Sequence, residues 1–553
     1  MNKTIWMPVN PALEDHPEKQ WMCYLAKIID MDPKLMYWLF IQGFDNQEKV
    51  YNLLFPTLDD FHNPFLLNDM NKAVHRIIKA IKQKEKVLIF GDYDCDGITA
   101  TTILYKALNE FKANVSFRLP LREEGYGITP KAVEEIADQN TGLIITVDNG
   151  TSAHDAIKVA KEKGIDVIVT DHHDMLDAFP QCLAFINPKR PDNTYPFSDL
   201  CGAGVAMKLV QALFSVSKRK WDQHAGPYID LATIGTIADL VSLQGENRAI
   251  CHAGLKRMNI CPQDIFKKLF KVLNVKSINS STIAFQVGPI LNAVGRVDNP
   301  NRAVHLLANA DTTEDELKEL ININRKRQSM TMTQYLHAEK EIIHHKLYKQ
   351  NVIVIKGDYF KGIIGIIASR ISEKYKKPSI VISDCGTGSC RGVNGTNFSI
   401  INTLNRCESF FSKFGGHKAA AGFSLKHDDI EAFKLEVQRS ASHEAVIEPI
   451  MTFLCQLPLH YFSRDMASDI NALEPFGMGF EKPIFYSGRA TPRKVKAFGQ
   501  AKQHLSFNIG NKKVTAFSKG NFADTILGKD VDFLYRNQDD SFLVQDIKFS
   551  KGK

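Results

Sequence analysis

One stretch of the sequence decides the fold: Val87-Leu88-Ile89-Phe90-Gly91-Asp92-Tyr93-Asp94-Cys95-Asp96-Gly97. Its first four residues are apolar, and a short apolar run of this kind suits a buried strand. Beyond Gly97, the apolar residues Leu104, Ala107, Leu108 and Phe111 recur at the i, i+3, i+4 and i+7 spacing of an amphipathic helix. The chain is therefore predicted to run from a strand through an acidic turn into a helix.

Three aspartates alternate with other residues in this turn. In an extended segment alternate side chains point the same way, so Asp92, Asp94 and Asp96 are expected to converge. Carboxylates held that close repel one another unless protons or cations neutralise them, and a divalent metal ion is the simplest partner. A plain Asp- and Gly-rich turn is the alternative. A calcium loop of the EF-hand type is disfavoured, because its twelfth position needs a bidentate Glu and is Ile103 here.

Strands and helices alternate beyond this stretch. Apolar runs predict strands at residues 87–90, 115–119, 143–147, 167–170 and 183–186, with helical patterns between most of them. That alternation predicts an α/β fold with a parallel sheet covered on both faces. Ligands of such sheets collect at the carboxyl ends of the strands.

Two further strand ends carry side chains that bind metals. Asp148 follows the third predicted strand and precedes a turn signal, and Asp171-His172-His173 follows the fourth. A single such Asp is more often a helix cap, and adjacent histidines are often ordinary surface residues. Their coincidence at three strand ends favours a metal centre at one edge of the sheet. Asp239, near the end of an apolar helix, is either a buried partner of an Arg or a fourth metal carboxylate.

The composition is that of an ordinary soluble protein, with 44% hydrophobic and 24% charged residues. At 553 residues the chain is too long for one core, so several domains are expected. Its start lacks the apolar core of a secretory signal, and no run approaches a membrane span, which predicts a cytoplasmic protein without a membrane partner. Ten cysteines without a CxxC pair predict reduced thiols instead of a disulfide framework or a zinc site.

The net charge of +7 is concentrated near the C-terminus, where residues 484–523 contain eight basic residues and no Asp or Glu. They are Arg489, Arg493, Lys494, Lys496, Lys502, Lys512, Lys513 and Lys519. Short alternating segments predict a small β-barrel here, and the basic residues interleave with Phe498, His504 and Phe507. This mixture is typical of grooves for single-stranded nucleic acid, where cations follow phosphates and rings stack on bases. A solvated basic face over core aromatics is the alternative.

The remaining stretches predict supporting structure. Residues 1–80 have helical spacing, and residues 315–349 predict one long helix opened by a capping box at Thr313. A second α/β module follows, in which Gly415 and Gly416 precede an expected Ala-rich helix. Such glycines let a phosphate approach backbone N–H groups, with His417 and Lys418 adding charge. A tight turn packed against a neighbouring helix explains the same residues equally well.

With these motifs the chain resembles the RecJ exonucleases of the DHH phosphoesterase superfamily over nearly its whole length. Besides the acidic stretch, the specific elements are Val147-Asp148-Asn149-Gly150, Asp171-His172-His173, Asn292-Ala293-Val294-Gly295-Arg296, Gly415-Gly416-His417 and Leu473-Glu474-Pro475-Phe476-Gly477-Met478-Gly479. The resemblance implies an N-terminal helical segment (1–80), a DHH catalytic domain (81–311), a connecting helix (312–350), a DHH-associated domain (351–450) and an OB-fold nucleic-acid-binding domain (451–553).

The resemblance implies a 5′-to-3′ exonuclease that is specific for single-stranded DNA and acts in recombination and repair. Two ions, Mn²⁺ or Mg²⁺, would be held by Asp92, Asp94, Asp96, Asp148, His172 and Asp239. The expected catalytic residues are Asp148, His172 and His173, with Asp148 bridging the ions and His173 facing the scissile phosphate. The candidate residues for binding DNA and its phosphates are Arg296, Arg391, Gly416, His417, Lys494, Lys496, Lys502 and His504.

Single-stranded DNA is the expected partner, and the resemblance adds a single-strand-binding protein and a RecQ-type helicase; we expect a monomer. Two positions depart from the family pattern. Tyr359-Phe360 stands where Trp-His is common, so no role is carried over to Phe360, and Phe480 stands where the last motif usually continues with Asn.

Two other functions stay open. A DHH enzyme for very short oligonucleotides, cyclic dinucleotides or pyrophosphate would share the metal centre but would not need the long helix and the basic barrel. A metal-free protein that grips single strands without cutting them is disfavoured, because so many clustered carboxylates cost stability if nothing is bound.

Overall fold

The computed structural model describes residues 4–175, 178–217, 219–442, 449–499, 502–538 and 541–550. The chain forms two compact units. The first unit comprises Glu48–Arg327 and Leu473–Glu481, and the second comprises the described residues of Met1–Gln47, Gln328–Ala472 and Lys482–Lys553. Within the described part of the chain, no helix has both the length and the apolar character needed to cross a membrane.

The strands and helices have the following bounds. The strands are β1 (Ile5–Pro8), β2 (Lys86–Phe90), β3 (Asn114–Arg118), β4 (Thr141–Val147), β5 (Asp166–Thr170), β6 (Ala184–Ile186), β7 (Ile353–Gly357), β8 (Ser379–Ser383), β9 (Thr387–Arg391), β10 (Phe411–Gly416), β11 (Ala420–Leu425), β12 (Ile450–Phe453), β13 (Phe485–Tyr486), β14 (Arg493–Phe498), β15 (His504–Ile509), β16 (Lys512–Ala516), β17 (Val531–Gln538) and β18 (Ser541–Phe549). The helices are α1 (Lys19–Ile28), α2 (Pro33–Ile41), α3 (Gln47–Leu54), α4 (Met70–Gln83), α5 (Cys95–Glu110), α6 (Pro130–Ala137), α7 (His154–Glu162), α8 (Gly202–Val216), α9 (Trp221–His224), α10 (Gly226–Ala238), α11 (Gly245–Ile260), α12 (Asp264–Val272), α13 (Ser280–Thr282), α14 (Gly288–Val297), α15 (Asn301–Ala308), α16 (Glu314–His344), α17 (Ile364–Tyr375), α18 (Ile400–Asn405), α19 (Ile430–Ser442), α20 (Arg464–Ala472) and α21 (Ala523–Ile526).

A parallel sheet with strand order β3-β2-β4-β5-β6 forms the centre of the first unit. Val87 and Ile89 of β2 belong to the core cluster formed with α5 and α8, whereas Leu88 and Phe90 belong to the cluster formed with α6 and α7. Both faces of the sheet are therefore covered, which explains why its strands are nearly continuous apolar runs. The five predicted strands and the parallel sheet are confirmed.

A mixed five-stranded sheet, with strand order β10-β11-β9-β8-β7, lies in the second unit. The Ala-rich helix expected after Gly416 is wrong, because residues 420–425 form strand β11. Ala421, Phe423 and Leu425 point into the core at the period of two that a strand has, and Gly415 pairs with Gly422 across the hairpin. Burial of this alternating face outweighs the helix propensity of three alanines.

Six strands in the order β13-β17-β18-β16-β15-β14 form the C-terminal sheet of the second unit. A further strand pair lies beside it, in which β1 runs parallel to β12, and Trp6 donates from Nε1 to Asp546 at 2.9 Å. The prediction that residues 1–80 are helical is therefore wrong at β1. The partner strand lies more than 400 residues away along the chain, and local periodicity carries no information about it.

Helix α16 begins with the predicted capping box. The backbone N–H of Glu316 donates to Thr313 Oγ1 at 3.3 Å, and the backbone N–H of Thr313 donates to Glu316 Oε2 at 2.8 Å. The helix ends at His344, earlier than expected, and Lys346 takes a left-handed conformation with φ of 54°.

Candidate metal centre

The acidic turn after β2 is more compact than an extended segment. Asp94 is the N-cap of α5, and its Oδ1 accepts the backbone N–H groups of Asp96 and Gly97, each at 3.0 Å. Asp96 therefore lies in the first turn of the helix, so the expectation of three carboxylates on one side of an extended segment is wrong. Asp92 and Asp94 do converge, and their partner is Asp148 from the end of β4.

Asp96 points to a different set of side chains. The Nε2 atom of His172 lies 3.1 Å from Asp148 Oδ1, 3.6 Å from Asp239 Oδ2 and 3.7 Å from Asp96 Oδ2. Asp239 reaches this position as the C-cap of α10, which ends beside α5. Asp96, Asp148 and His172 are buried, with 1%, 2% and 6% of their surface exposed. The structure thus brings together all six predicted metal ligands.

The six side chains form two groups of three whose donor atoms lie within 4.8 Å of one another: Asp92, Asp94 and Asp148 form one group, and Asp96, His172 and Asp239 the other. Asp148 also groups with His172 and His173, so it links the two sets. Among the described residues, Asp92 Oδ1, Asp148 Oδ1 and both ring nitrogens of His172 are buried without a hydrogen-bond partner. Unpartnered buried donor atoms of this kind fit metal ions.

Electrostatics lead to the same conclusion. Burial raises the pKa of Asp92, Asp94 and Asp148, and repulsion between the carboxylates raises it further. The same two causes raise the pKa of Asp239 to about 9. Burial lowers the pKa of His172, which favours the neutral imidazole that binds metals. Divalent cations would compensate the clustered carboxylate charge.

Two glycines permit the close approach of the helices to this centre. A Cβ atom on Gly202 would lie 2.5 Å from Asp148 Cβ, and one on Gly235 would lie 2.6 Å from Asp96 Oδ1. Gly202 begins α8, and its backbone N–H and that of Ala203 donate to the Asp96 carboxylate at 2.6 and 2.9 Å. The Gly- and Ala-rich sequence at 201–205 is therefore explained by a helix N-terminus that holds the carboxylate of Asp96, a candidate metal ligand.

His173 stands beside the metal ligands and is held by two neighbours. Its Nδ1 lies 2.7 Å from Asp171 Oδ1, and the Tyr126 hydroxyl lies 3.1 Å from its Nε2. Burial opposes protonation of His173, but the hydrogen bond to Asp171 outweighs it and raises the pKa of His173 to about 9. Its side chain is 46% exposed, so a protonated imidazole faces solvent next to the carboxylates.

Cationic side chains stand close to the same centre. Arg296 ends α14, and burial followed by the charges of Arg122 and Arg327 lowers its pKa to about 10. The negative charge of Asp94 lies near enough to oppose this lowering of the pKa of Arg296. The backbone N–H of Cys95 donates to Asn292 Oδ1 at 2.9 Å, which fixes α14 against the acidic turn. The predicted phosphate-binding Arg296 thus lies beside the metal centre.

In the second unit, Arg391 lines a cavity of about 100 Å³ together with Ser369, Gly392 and Ala419. Its Nε donates to Ser369 Oγ at 3.1 Å, and its Nη1 donates to Ser389 Oγ at 3.3 Å and to the carbonyl of Cys390 at 2.7 Å. These partners are all neutral. A guanidinium held by hydroxyl and carbonyl groups keeps its charge available for an anion.

Gly416 and His417 lie close to Arg391, because Ala420 of the same hairpin pairs with Arg391. His417 begins the hairpin turn, with its backbone N–H donating to the carbonyl of Ala420 at 2.8 Å. Both residues are exposed, and Gly416 has a φ of +146° that favours glycine. The three predicted phosphate-binding residues of this unit are therefore neighbours, although they surround a hairpin turn and not a helix N-terminus.

Five of the eight basic residues at 484–523 show two different surroundings. Arg489 and Lys519 form ion pairs with Asp530 and Asp546, so they serve the fold. Lys494, Lys496 and Lys502, which were predicted to bind DNA, are exposed.

The aromatic rings of the C-terminal sheet also differ in their surroundings. Phe507 is fully buried, so its expected role in stacking on bases is wrong. The ring of His504 packs against two other rings, with centroid distances of 5.2 Å to Phe498 and 5.1 Å to Phe517. Phe517 is 50% exposed, and a base can stack on it.

Three family models match the chain: the DHH family N-terminal domain over residues 86–236, the DHHA1 domain over 349–442 and the RecJ OB domain over 455–545. The single-stranded-DNA-specific exonuclease RecJ of Bacillus subtilis (strain 168) is 34% identical over 528 residues, which cover 92% of this chain and 66% of that protein. RecJ of Haemophilus influenzae is 31% identical over 486 residues, covering 83% of this chain and 84% of that protein. The chain belongs to the RecJ family of single-stranded-DNA-specific exonucleases.

Solved RecJ structures share the fold. The crystal structure of Thermus thermophilus RecJ in complex with Mn²⁺ matches with a TM-score of 0.83 and 26% identity, covering 99% of this chain and 80% of that one. The corresponding Mg²⁺ complex matches with a TM-score of 0.76 and 25% identity, covering 99% and 79%. The predicted family, fold class and class of enzyme are confirmed, and the five domain boundaries stay predictions.

Sequence reasoning missed three residues of this RecJ family member: Arg122, Tyr126 and Phe517. Arg122 and Tyr126 follow β3, whose carboxyl end lies at the same rim of the sheet as those of β2, β4 and β5. The strand-end rule applied to a fourth strand would have found them. No comparable signal marked Phe517, because exposed and buried aromatic residues look alike in sequence.

Proposed function

We propose that the chain is a metal-dependent exonuclease that degrades single-stranded DNA from the 5′ end towards the 3′ end, releases nucleotides and acts in recombination and repair. The observation that carries the proposal is the buried Asp148 shared between donor groups. This arrangement suits two ions placed side by side, as phosphodiester hydrolysis commonly requires. The direction of digestion rests on membership of the RecJ family.

In this proposal Asp92, Asp94 and Asp148 would hold one ion, and Asp96, His172 and Asp239 would hold the other. Imidazole and carboxylate ligands together suit Mn²⁺, and Mg²⁺ is the oxygen-preferring alternative. RecJ of Thermus thermophilus has been solved with each. When bound, two such ions lower the pKa of a water molecule and stabilise the entering and leaving oxygens of an in-line displacement.

The remaining groups of the first unit act on the phosphate. Protonated His173 stabilises charge on the phosphoryl oxygens, and Asp171 keeps its ring oriented through the 2.7 Å contact at Nδ1. The Tyr126 hydroxyl contacts the same ring, at 3.1 Å from each of its two nitrogens. Arg122 and Arg296 bind neighbouring phosphates, which relieves the mutual repulsion of their positive charges.

The second unit offers further groups that bind single-stranded DNA. Arg391, Gly416 and His417 bind phosphate through a guanidinium, a turn backbone and an imidazole that lie close together. On the C-terminal sheet, Lys494, Lys496 and Lys502 bind phosphates while His504 and Phe517 present rings to the bases. No side chain in this set reads base identity, so the proposal includes no sequence preference.

Digestion of strands labelled at either end, as DNA and as RNA, tests the proposal with Mn²⁺ or Mg²⁺ supplied. We expect mononucleotides to appear first from the 5′ end of DNA, and only with metal present. A chain-length series separates this function from that of a DHH enzyme for dinucleotides, which would lose activity as the strand lengthens. Tight strand binding without any cleavage in Mn²⁺ would favour the binding protein instead.

The same proposal includes the setting in which the enzyme works. Single-stranded DNA is its substrate, and a single-strand-binding protein and a RecQ-type helicase are its proposed protein partners. We propose that it acts as a monomer in the cytoplasm. All ten cysteines lie in described residues and all are free thiols, which suits a reducing compartment.

A further inference from the structure

Asp239 is followed by an irregular connection between α10 and α11. Leu240 has a φ of +60°, a strained conformation for a leucine, and is 61% exposed. Residues 241–243 belong to no helix or strand. Such a segment keeps a defined shape only if other parts of the chain satisfy its backbone polar groups. The geometry of Asp239 therefore depends on what holds the connection.

Two sets of hydrogen bonds hold it. Asn247 Nδ2 donates to the carbonyl of Ser242 at 2.9 Å. From far along the chain, the carbonyl of Met478 accepts the backbone N–H of Leu243 at 2.8 Å, and the carbonyl of Gly479 accepts from Gln244 Nε2 at 2.6 Å. The segment Leu473–Glu481, which belongs to the first unit, therefore contacts the connection directly.

The fit between segment and connection depends on two glycines. A Cβ atom on Gly477 would lie 2.6 Å from Leu243 Cδ1, and one on Gly479 would lie 2.8 Å from Ser242 Oγ. Gly479 also has a φ of +73°, which favours glycine. A side chain at either position would force the side chain of Leu243 or Ser242 to shift, and the close fit between segment and connection would be lost.

The other side of the segment is anchored on α11 and α13. Arg248 is 3% exposed and donates to the carbonyls of Leu473, Glu474 and Pro475 at 2.8, 3.3 and 3.1 Å. Ser280 Oγ donates to Glu474 Oε2 at 2.7 Å. Loss of these carbonyl acceptors would leave the buried guanidinium without partners, which costs free energy. These hydrogen bonds therefore hold the segment firmly on α11.

Phe480, one of the two departures from the family pattern, completes the anchor. Its ring lies 4.8 Å below the Arg248 guanidinium and stacks on Phe476 at a centroid distance of 5.4 Å and an interplanar angle of 3°. The ring is fully buried. The aromatic side chain of Phe480 therefore adds contacts that hold the segment against Arg248.

We propose that the Leu473–Glu481 segment is a positioning element for the metal ligand Asp239. It clamps residues 242–244, and Gly477, Glu474 and Arg248 are its positioning residues. The proposal rests on the metal centre of the proposed function. The segment lies within the stretch matched by the RecJ OB domain model, whereas Asp239 and residues 242–244 follow the end of the stretch matched by the DHH model at residue 236.

The test measures Mn²⁺ binding to the metal-free full-length protein by electron paramagnetic resonance, beside the Mn²⁺ concentration that gives half-maximal cleavage. For Gly477→Ala we expect both values to rise by about tenfold, as when a group supporting a metal ligand is removed. Glu474→Ala provides a second perturbation from the anchor side. Glu474→Gln keeps an acceptor for Ser280 and is expected to restore most of the affinity.

The matched control is Leu255→Ala, which removes a buried core side chain from the same helix α11 without touching the segment. It should lower the melting temperature and leave Mn²⁺ affinity unchanged. If Gly477→Ala and Glu474→Ala bind Mn²⁺ like the wild type, or if Leu255→Ala weakens binding equally, the segment only stabilises the fold and the proposal is overturned. A wild-type protein that binds no Mn²⁺ would instead overturn the metal centre itself, and the positioning role with it.

Discussion

Replacement of Asp148 by Asn is the most direct test of the metal centre. Asp148 has a φ of +62°, a conformation that Asn tolerates well, and Asn has the same size, so the contact with Gly202 is kept. The substitution removes one negative charge and one anionic ligand from the donor groups. We expect Mn²⁺-dependent cleavage to fall by about 1,000-fold, the upper end of what one electrostatic group contributes to a transition state.

Thermal unfolding gives a second readout of the same variant. At an Mn²⁺ concentration of about 100 times the dissociation constant, binding stabilises the wild type by about 2.7 kcal/mol. For a unit of this size, that corresponds to a rise in melting temperature of about 4 °C. The variant should show little of this rise, and without metal it should melt no lower than the wild type, because a carboxylate whose charge repels its neighbours is gone.

The assays are single-turnover cleavage of labelled single-stranded DNA, fluorescence anisotropy for strand binding and calorimetric melting with and without Mn²⁺. Asp155→Asn is the matched control, since it removes the same charge from an exposed position on α7. Strand binding should stay within about threefold of wild type, because the cationic residues are unchanged. Cleavage above a tenth of the wild-type rate, or an unaltered Mn²⁺ shift in melting temperature, would refute the shared role of Asp148.

Three further predictions concern other parts of the chain. Tyr126→Phe should lower the single-turnover rate by about tenfold or more without weakening strand binding, since it removes a hydrogen bond to the charged ring of His173; an unchanged rate would contradict this. Phe517→Ala should weaken single-stranded DNA binding by about tenfold in anisotropy, whereas Phe507→Ala should destabilise the fold by about 3–5 kcal/mol; equal strand affinity in Phe517→Ala and wild type would exclude stacking. Burial raises the pKa of Asp230 to about 6 from its ordinary value of 3.8, so its contribution to stability is present below about pH 4 and is lost as pH rises through 6. Relative to wild type, Asp230→Asn should gain about 2 kcal/mol in the free energy of unfolding by denaturant between pH 4 and pH 7, and a difference that does not vary with pH would disprove the shift.

The parts of the fold that local patterns predict are those whose signal lies within a few residues. The strands at 87–90 and 143–147 are apolar on both faces because helices cover both faces, so their runs are unmistakable. The capping box at Thr313 is a contact within four residues and was found for the same reason. The strand β11 was mistaken for a helix, because alanines favour helices locally and only the pairing with β9 and β10 makes them a strand.

The candidate metal centre shows the same division. Asp92, Asp94, Asp148 and His172 were found from sequence because parallel strands bring their carboxyl ends to one rim. The division of the ligands into two groups was not predicted from sequence, because it depends on α5 beginning at Cys95 and turning Asp96 towards Asp239. Tyr126 was not predicted, because a tyrosine hydroxyl is not a typical metal ligand, although it follows the end of β3 at the same rim of the sheet.

By itself, the sequence determined the kind of chemistry and the order of the modules, because ligand types, strand ends and family motifs are written in residues close together along the chain. Tertiary structure alone decided which carboxylates form each candidate ligand group, which rings face solvent and which distant segment contacts the connection after Asp239. These depend on contacts such as Leu243 with Met478 and His172 with Asp239, whose partners are set by packing across tens to hundreds of residues. The local periodicity of apolar residues carries no information about partners so far apart along the chain. Only the folded structure shows which of them meet.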